Sequence, residues 1–406
     1  MTIDQQQQAK LRRALTTPLL ILYGLGVTVG AGIYVLVGAT AQQAGAYASI
    51  SFLVAAIVVS LTALSYAELS TRYPVSAGEA AYVEAGFNAE WLTVLVGLAV
   101  AASGMISASA VAMGAASYLH GLVGLPESLL TIGVVVIMGL IAMWGIAESV
   151  VIAAVITVIE IFGLLFVVAW AQLMSESQGF AAVEMIPSFD ADIWRGILAA
   201  SLLAFFAFVG FEDMANVAEE VKDPVRTIPK AILWTLLLAT GLYIATSASV
   251  LMVVPLDALS RSAAPLSLVF TEAHQSVKQG FGVIAIVATV NGVLIQTIMA
   301  SRVLYGLADR GHLPEILARV APKTQTPVVA TVAVVGIIVV LTQAFPIAVL
   351  AERTSQIVLF VFALVNLSLI RLKFKSVSSG AHFQVPLVVP ILGVATSAML
   401  FAAGFL

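Results

Sequence analysis

Cysteine is absent from the 406 residues. That excludes a disulfide framework, thiolate chemistry and Cys-based metal sites, and it leaves the redox compartment open. Charge is scarce as well. Asp, Glu, Lys and Arg make up 10% of the chain, against about 25% in ordinary soluble domains. A soluble protein of this length could bury a large core, but it would still need a charged surface. With 61% apolar residues and a mean hydropathy of +1.07, most of this surface must face lipid. Most soluble enzymes, nucleic-acid binders and disordered scaffolds are excluded, and the net charge of −4 argues against a polyanion partner. Strand-like alternation is missing too: the apolar runs are continuous, which excludes a β-barrel. A polar, Gln-rich N-terminus and a first apolar segment too long for a signal h-region predict no cleaved leader. The chain reads as an all-α polytopic membrane protein.

A transmembrane helix needs about 20 mostly apolar residues. Such segments are predicted at about 17–41, 46–69, 89–119, 127–147, 150–173, 195–220, 228–254, 279–306, 326–344, 353–371 and 384–405. Eleven spans in one transmembrane domain, 1–406, result. The longest connections, around 174–194 and 255–278, are too short for a soluble domain. With the N-terminus inside, the outer connections hold only Arg195, Arg261, Lys278 and Arg353 of the 18 Lys and Arg. All the others, from Lys10, Arg12 and Arg13 to Lys375, fall inside, so the basic bias predicts a cytoplasmic N-terminus. An odd span count then puts the C-terminus outside.

The first span carries Gly24, Gly26, Gly30 and Gly32, and Val29-Gly30-Ala31-Gly32-Ile33 has almost no side-chain volume. Two readings stand side by side. The Gly26–Gly30 pair suits a small-residue packing face, and the same glycines allow the helix to unwind and expose its amides. The sixth span has the same character. Residues 197–211 are apolar but too few to cross, and Glu212, Asp213, Asn216, Glu219 and Glu220 follow Gly210. Because the Lys222–Lys230 cluster must still reach the inner side, the polar stretch is expected inside the protein, against a cavity. Interrupted helices at matching places in two halves point to a secondary transporter with inverted repeats. Spans one and six are five apart. The repeats would be about 17–173 and 195–371, a five-plus-five arrangement with the last span, about 384–405, outside it. Half-helix N-termini suit a carboxylate and half-helix C-termini an ammonium group, so a zwitterion fits, and amino acids are the obvious ligands.

VGAGIYVLVG (29–38), YPVSAGEAAYVEAGF (73–87), FFAFVGFEDMANVAEEVKDPVRTIPKAI (205–232) and ASRVLYGLADRGHLP (300–314) with TPVVA (326–330) occur in that order. Together they resemble the amino acid–polyamine–organocation superfamily, most closely the bacterial relatives of cationic amino acid transporters, over nearly the whole chain. The resemblance implies the five-plus-five inverted repeat, with spans 1, 2, 6 and 7 moving against a scaffold that includes 3, 4, 8 and 9. It implies that backbone amides around Gly30, Ala31 and Gly32 hold the substrate α-carboxylate, and that carbonyls near Phe205, Ala207 and Phe208 meet the α-ammonium. Phe206 matches the family's closing aromatic, although a core or lipid-facing aromatic is the alternative. The substrate is then an amino acid as a small molecule, with a polyamine or other organic amine as the alternative; the lipid bilayer is a partner, nucleic acid is not, and a bacterial inner membrane is the expected location. No cofactor or metal is implied beyond a proton gradient or sodium.

The sequence departs from the family in span five. AESVVIAAVITVIE (147–160) resembles a segment in which proton-coupled members carry a lysine, and here Glu160 takes that place. A carboxylate at mid-membrane costs about 2.5–3.5 kcal/mol on insertion scales and is a functional group by default. Glu160 reads as a proton carrier, a cation ligand, or a protonated structural acid. Glu212 matches a gating and pH-response position of related antiporters; the alternative is a carboxylate stabilising the lower half-helix, and Asp213 reads as that cap. Glu219 and Glu220 read as interfacial partners of Lys222 and Arg226, or an inner gate. Ser103 and Ser107 lie in a run of small residues that suits close helix packing, or lining of the site. The reading that unites these features is a proton-coupled amino acid symporter working by alternating access, with an exchanger second and a receptor or channel third. No nucleotide loop, metal cluster or nucleophile motif supports an enzyme.

Overall fold

In hydrocarbon an apolar run must satisfy its backbone within the segment, and only a helix does so. The computed structural model describes residues 13–75, 78–173, 181–262, 264–375 and 382–403; Lys10 and Arg12 of the inner basic set, and residues 76–77 of the first inner motif, lie outside the described residues. The first span is two helices, α1 (Thr17–Thr28) and α2 (Gly30–Ala44), and the second is α3 (Ala48–Arg72). A short helix α4 (Gly78–Phe87) precedes α5 (Glu90–Val123), α6 (Glu127–Trp144) and α7 (Ile146–Leu173), the third to fifth spans. The sixth is α8 (Ala191–Phe206) with the four-residue α9 (Asp213–Asn216), and the seventh is α10 (Pro224–Val253). After a short α11 (Leu256–Arg261) come α12 (Gln275–Asp309), α13 (Val328–Ala344), α14 (Ile347–Phe374) and α15 (Val388–Ala403). Seven helices among the described residues are long and apolar enough to cross a membrane, and Thr17–Thr28, Val328–Ala344 and Val388–Ala402 are shorter apolar helices beside them. The protein is an all-α polytopic membrane protein.

The helices start and stop where local chemistry directs. Asp190 caps α8 by accepting from the Asp192 amide at 2.8 Å, and His274 caps α12 through the Ser276 amide at 3.3 Å. Gly124 ends α5 in the left-handed conformation at φ +71°. Spans eight and ten begin four and six residues earlier than the hydropathy predicts, because Lys278 and Arg353 sit inside the first two turns of α12 and α14 rather than in loops.

Packing follows a rule. Spans two and seven (α3, α10), three and eight (α5, α12), and four and nine (α6, α13) are direct partners. Span one packs on seven as six packs on two, and five packs on eight as ten packs on three. Every one of these contacts is therefore matched when the span numbers shift by five. The small residues of span three serve the α5–α12 contact: a Cβ on Gly104 would overlap the Met299 methyl group.

At the basic end of α3 the fold is closed by a buried ionic knot. Glu68 is fully buried and accepts from Arg72 at 2.5 Å, from Lys373 at 2.7 and 3.0 Å, and from the Val385 amide at 2.8 Å. Lys373 also donates to the Val385 carbonyl at 2.6 Å. One turn up, Asn366 accepts from Ser65 at 2.7 Å and donates to Thr62 at 2.9 Å. The second span, the tenth and the approach to α15 are thus one unit. Glu68→Ala strips Arg72 and Lys373 of a shared buried acceptor, a loss that costs roughly 3–5 kcal/mol when one partner of a buried pair is removed. Thermal unfolding of the purified protein in detergent is expected to show a clear drop for Glu68→Ala and no measurable change for Asp192→Ala, whose pair with Arg195 is exposed.

Candidate functional site

The first interruption is narrower than its glycines suggest. α1 ends at Thr28, α2 starts at Gly30, and Val29 between them keeps helical dihedrals, φ −73° and ψ −21°. The volume freed at Gly32 is used for close approach rather than for unwinding: a Cβ there would overlap the Ala207 backbone. Gly30 differs, since the nearest atom to a Cβ would be the Ala288 carbonyl oxygen at 3.9 Å. Gly30, Ala31 and Gly32 form the first turn of α2, whose start has no side-chain cap. Their amides are the donor end of a helix that presents positive partial charge.

The second interruption is wider. α8 ends at Phe206, turns run through 207–212, and Gly210 takes φ +123°, a region that favours glycine. The Gly210 amide donates to Glu212 Oε2 at 2.9 Å. Below it α9 is a single turn, followed by a 3₁₀ turn at Ala218–Glu220. This corrects two expectations. The lower half of span six is too short to carry much dipole, and its N-cap residue, Glu212, makes no side-chain cap there because its carboxylate folds back on the break. Asp213 is buried with an unpartnered Oδ2 rather than capping.

The two breaks meet at Tyr243 of α10. Its hydroxyl is in hydrogen-bond contact with the Thr28 carbonyl, at the end of α1, and lies 2.7 Å from the Ala207 carbonyl, at the end of α8. One proton serves two acceptors, so the hydroxyl can shift between the interrupted spans. Aromatic packing fixes the ring, with Phe208 edge-on at 5.0 Å and Phe52 at 5.6 Å. Phe205 stacks edge-on to Phe362 at 5.9 Å, and its carbonyl accepts from the Phe208 amide at 2.9 Å. Phe206 is buried. Of the two serines, Ser103 donates to the Val100 carbonyl at 2.8 Å and lines a water-sized cavity with Tyr66, Glu79 and Glu212. Ser107 is buried but does not line it.

Glu160 lies elsewhere. It is fully buried on α7, neither carboxylate oxygen has a hydrogen-bond partner, and Asn291 of α12 is beside it. Asn291 also reaches Thr157, one turn before Glu160, at 3.2 Å, and Thr157 donates to the Leu22 carbonyl at 3.0 Å. Tyr34 of α2 donates to the Glu160 backbone carbonyl at 3.0 Å. Glu160 therefore borders the first interruption from the α7–α12 side, whereas Ser103 and Glu212 face the other cavity. The structure does not bring the two carboxylates together.

Three groups escaped the sequence reading. Tyr243 and Ser247, i and i+4 in an apolar span, were a visible polar stripe. Arg302 was counted among inner loop residues but is wholly buried on α12, with Nε 3.9 Å from Glu220. Glu220 is thus the partner of Arg302, not of Lys222 or Arg226; Arg226 pairs with Asp223 at 3.9 Å. Beside this pair the chain entering α1 is strapped to the chain leaving span six, as Leu15 bridges Val221 and Lys222 donates to the Leu15 carbonyl at 2.8 Å. Glu79 lies in the YPVSAGEAAYVEAGF segment between spans two and three, yet it is buried at the start of α4, and burial pushes its carboxyl up to about 7.

A multi-helix membrane bundle with two interrupted helices meeting at one tyrosine defines a class of protein, the polytopic membrane permeases. Within it the chain belongs to the amino acid permease family, whose model matches residues 15–406. Cationic amino acid transporter 2, vacuolar, of Arabidopsis thaliana is 33% identical over 396 residues, 91% of this chain and 61% of the relative. Branched-chain amino acid permease BcaP of Bacillus subtilis is 30% identical over 416 residues, 97% of this chain and 88% of the relative. Cationic amino acid transporter 4 of Homo sapiens is 28% identical over 398 residues, 92% and 62% of the two chains. The chain spans about three fifths of the plant and human relatives. The family and these relatives are transporters, not enzymes.

The glycines of α2 supply a direct steric test. Gly32→Ala forces α2 away from Ala207, an overpacking expected to cost about 1–3 kcal/mol, whereas Gly30→Ala meets only ordinary contact distance. Unfolding midpoints of the two variants in detergent should separate accordingly, with Gly30→Ala near wild type.

Proposed function

We propose that the protein is a secondary active amino acid transporter that works by alternating access and couples uptake to protons. The observation that carries this reading is the meeting of the two interrupted spans, where Tyr243 joins the carbonyl ends of α1 and α8 beside the uncapped first turn of α2. The amides of Gly30, Ala31 and Gly32 are assigned to the substrate carboxylate, and the carbonyls of Phe205, Ala207 and Phe208 to its ammonium group. Tyr243 holds the Ala207 carbonyl in this structure, so an ammonium group arriving there exchanges with a hydroxyl that can retire to Thr28. Phe206 is assigned as the closing aromatic, and Ser103 and Ser107 to the substrate's side-chain end. The matched packing of spans five apart supports a repeat over about 17–173 and 195–371, with α15 outside it.

Glu160 is assigned as the proton carrier. A carboxylate sealed from water with no ionic partner is held neutral, and a change of conformation that opens it to one side releases its proton. Its place beside the first interruption lets the same motion that frees substrate change its surroundings. The relatives' names include cationic and branched-chain amino acids, so the class, rather than one member, is proposed here. The basic bias supports a cytoplasmic N-terminus in a bacterial inner membrane.

The test is uptake of a radiolabelled amino-acid panel into proteoliposomes, with and without an inward proton gradient, for wild type and Glu160→Gln. Gradient-driven accumulation is expected to fall about tenfold or more in the variant, equivalent to at least about 1.4 kcal/mol, while exchange of preloaded substrate persists. Exchange without accumulation in both proteins makes it an antiporter. Folded protein that neither binds nor moves any amino acid overturns the substrate class.

A further inference from the structure

We propose that Glu79, facing Glu212 across the cavity beneath the second interruption, is a second proton-binding site, and that its proton holds the inner end of the transport path shut. The inference builds on the transport reading but assigns a site that reading does not use. Glu79 stands at the start of α4, a helix outside the membrane spans, and 1% of its surface is exposed. Asn216 of α9 staples that helix to span six twice: its Oδ1 accepts from the Gly78 amide at 3.0 Å and its Nδ2 donates to Glu79 Oε1 at 3.2 Å. Tyr66 lines the same water-sized cavity, and its buried hydroxyl is the neighbour that faces the Glu79 carboxyl.

Among the described residues, the cavity lining supplies no positive charge. From α3 the cavity receives Tyr66, from α4 Glu79, from span six Glu212, from α5 Val100 and Ser103, and from α14 three apolar side chains. Asp213 adds a further carboxylate beside Glu212 and Glu79, and Tyr82 faces Glu79 from its own helix. Arg302, the buried base on α12, faces Glu220. Buried acids without cations keep a proton, because ionising them in a dry site is costly. The Glu79 carboxyl, raised to about 7 by burial, stands well above the ordinary value of 4.5. The sign follows. Between about 4.5 and 7 the folded, closed state binds the proton that an exposed carboxylate has lost, so closure is favoured below this window and weakens as pH rises through it. An ionised Glu79 beside Glu212 and Asp213 must draw in water or a cation, and the Asn216 staple is what that movement separates.

Two readouts test this. The first needs no transport: infrared difference spectra of purified protein taken between about pH 6 and 8, in sodium and in potassium buffer. A protonated-carboxyl signal lost with rising pH is expected in wild type and in Glu160→Gln, with one carboxyl's share of it missing in Glu79→Gln and shifted in Glu79→Asp. The second is exchange in proteoliposomes against internal pH, expected to rise severalfold across the same window in wild type and to be flat and low in Glu79→Gln. Wild type without a pH-dependent carboxyl signal overturns the proposal. So does a signal that survives Glu79→Gln unchanged, or one that responds to sodium rather than to pH.

Discussion

Interrupting a helix inside hydrocarbon frees backbone groups that have no water to turn to, and much of this bundle is arranged around that cost. The interruption in span one is held to a single residue. That in span six is wider, and two of its freed groups find side-chain partners: Gly210 donates to Glu212, and the Ala207 carbonyl accepts from Tyr243. The rings of Phe205, Phe208 and Phe211 then wall the break off against Phe362, Tyr243 and Tyr66. The break is possible because a neighbouring helix supplies a hydroxyl where solvent cannot.

The interior is also unevenly charged. Among the described residues, its wholly or partly buried paired bases face acids: Arg72 and Lys373 share Glu68, and Arg302 faces Glu220. The acids outnumber them, leaving Glu160, Glu79, Glu212 and Asp213 with no base in the described ion pairs. These divide into two groups on opposite sides of the interrupted spans, one bordered by α7 and α12 and one by α3, α4 and α14. A bundle with surplus acid in two separate places has two reasons to bind positive charge, and they need not respond to the same face of the membrane.

The helical, polytopic architecture and both interruptions were legible because each is written in consecutive residues: an apolar run, a cluster of small residues, acids directly after Gly210. What could not be read was which residues meet. Tyr243 is chemically unremarkable in its own helix and matters only through two carbonyls brought to it from elsewhere in the chain. Arg302 was misassigned to an inner loop for the same reason, as sequence gives depth along a helix but not the face on which a side chain lies. Glu79 follows a proline and a loop, signals of solvent exposure, and burial came from α9 and α14 closing over it. The glycines of α2 were correctly singled out, yet their use is split, Gly32 for contact and Gly30 for space, and that division appears only when span six is in place.

The knot at Glu68 also bears on how the chain is made. Glu68 and Lys373 are 305 residues apart, so a chain emerging from the ribosome places the acid in the membrane long before that partner exists. In the interval Arg72, one turn away, is its local counter-charge, and the pair can rest at the interface as a loose, partly hydrated couple. Until α14 is in place, Glu68 has Arg72 as its only counter-charge among the ion pairs described, so the second and tenth spans become one unit late in assembly.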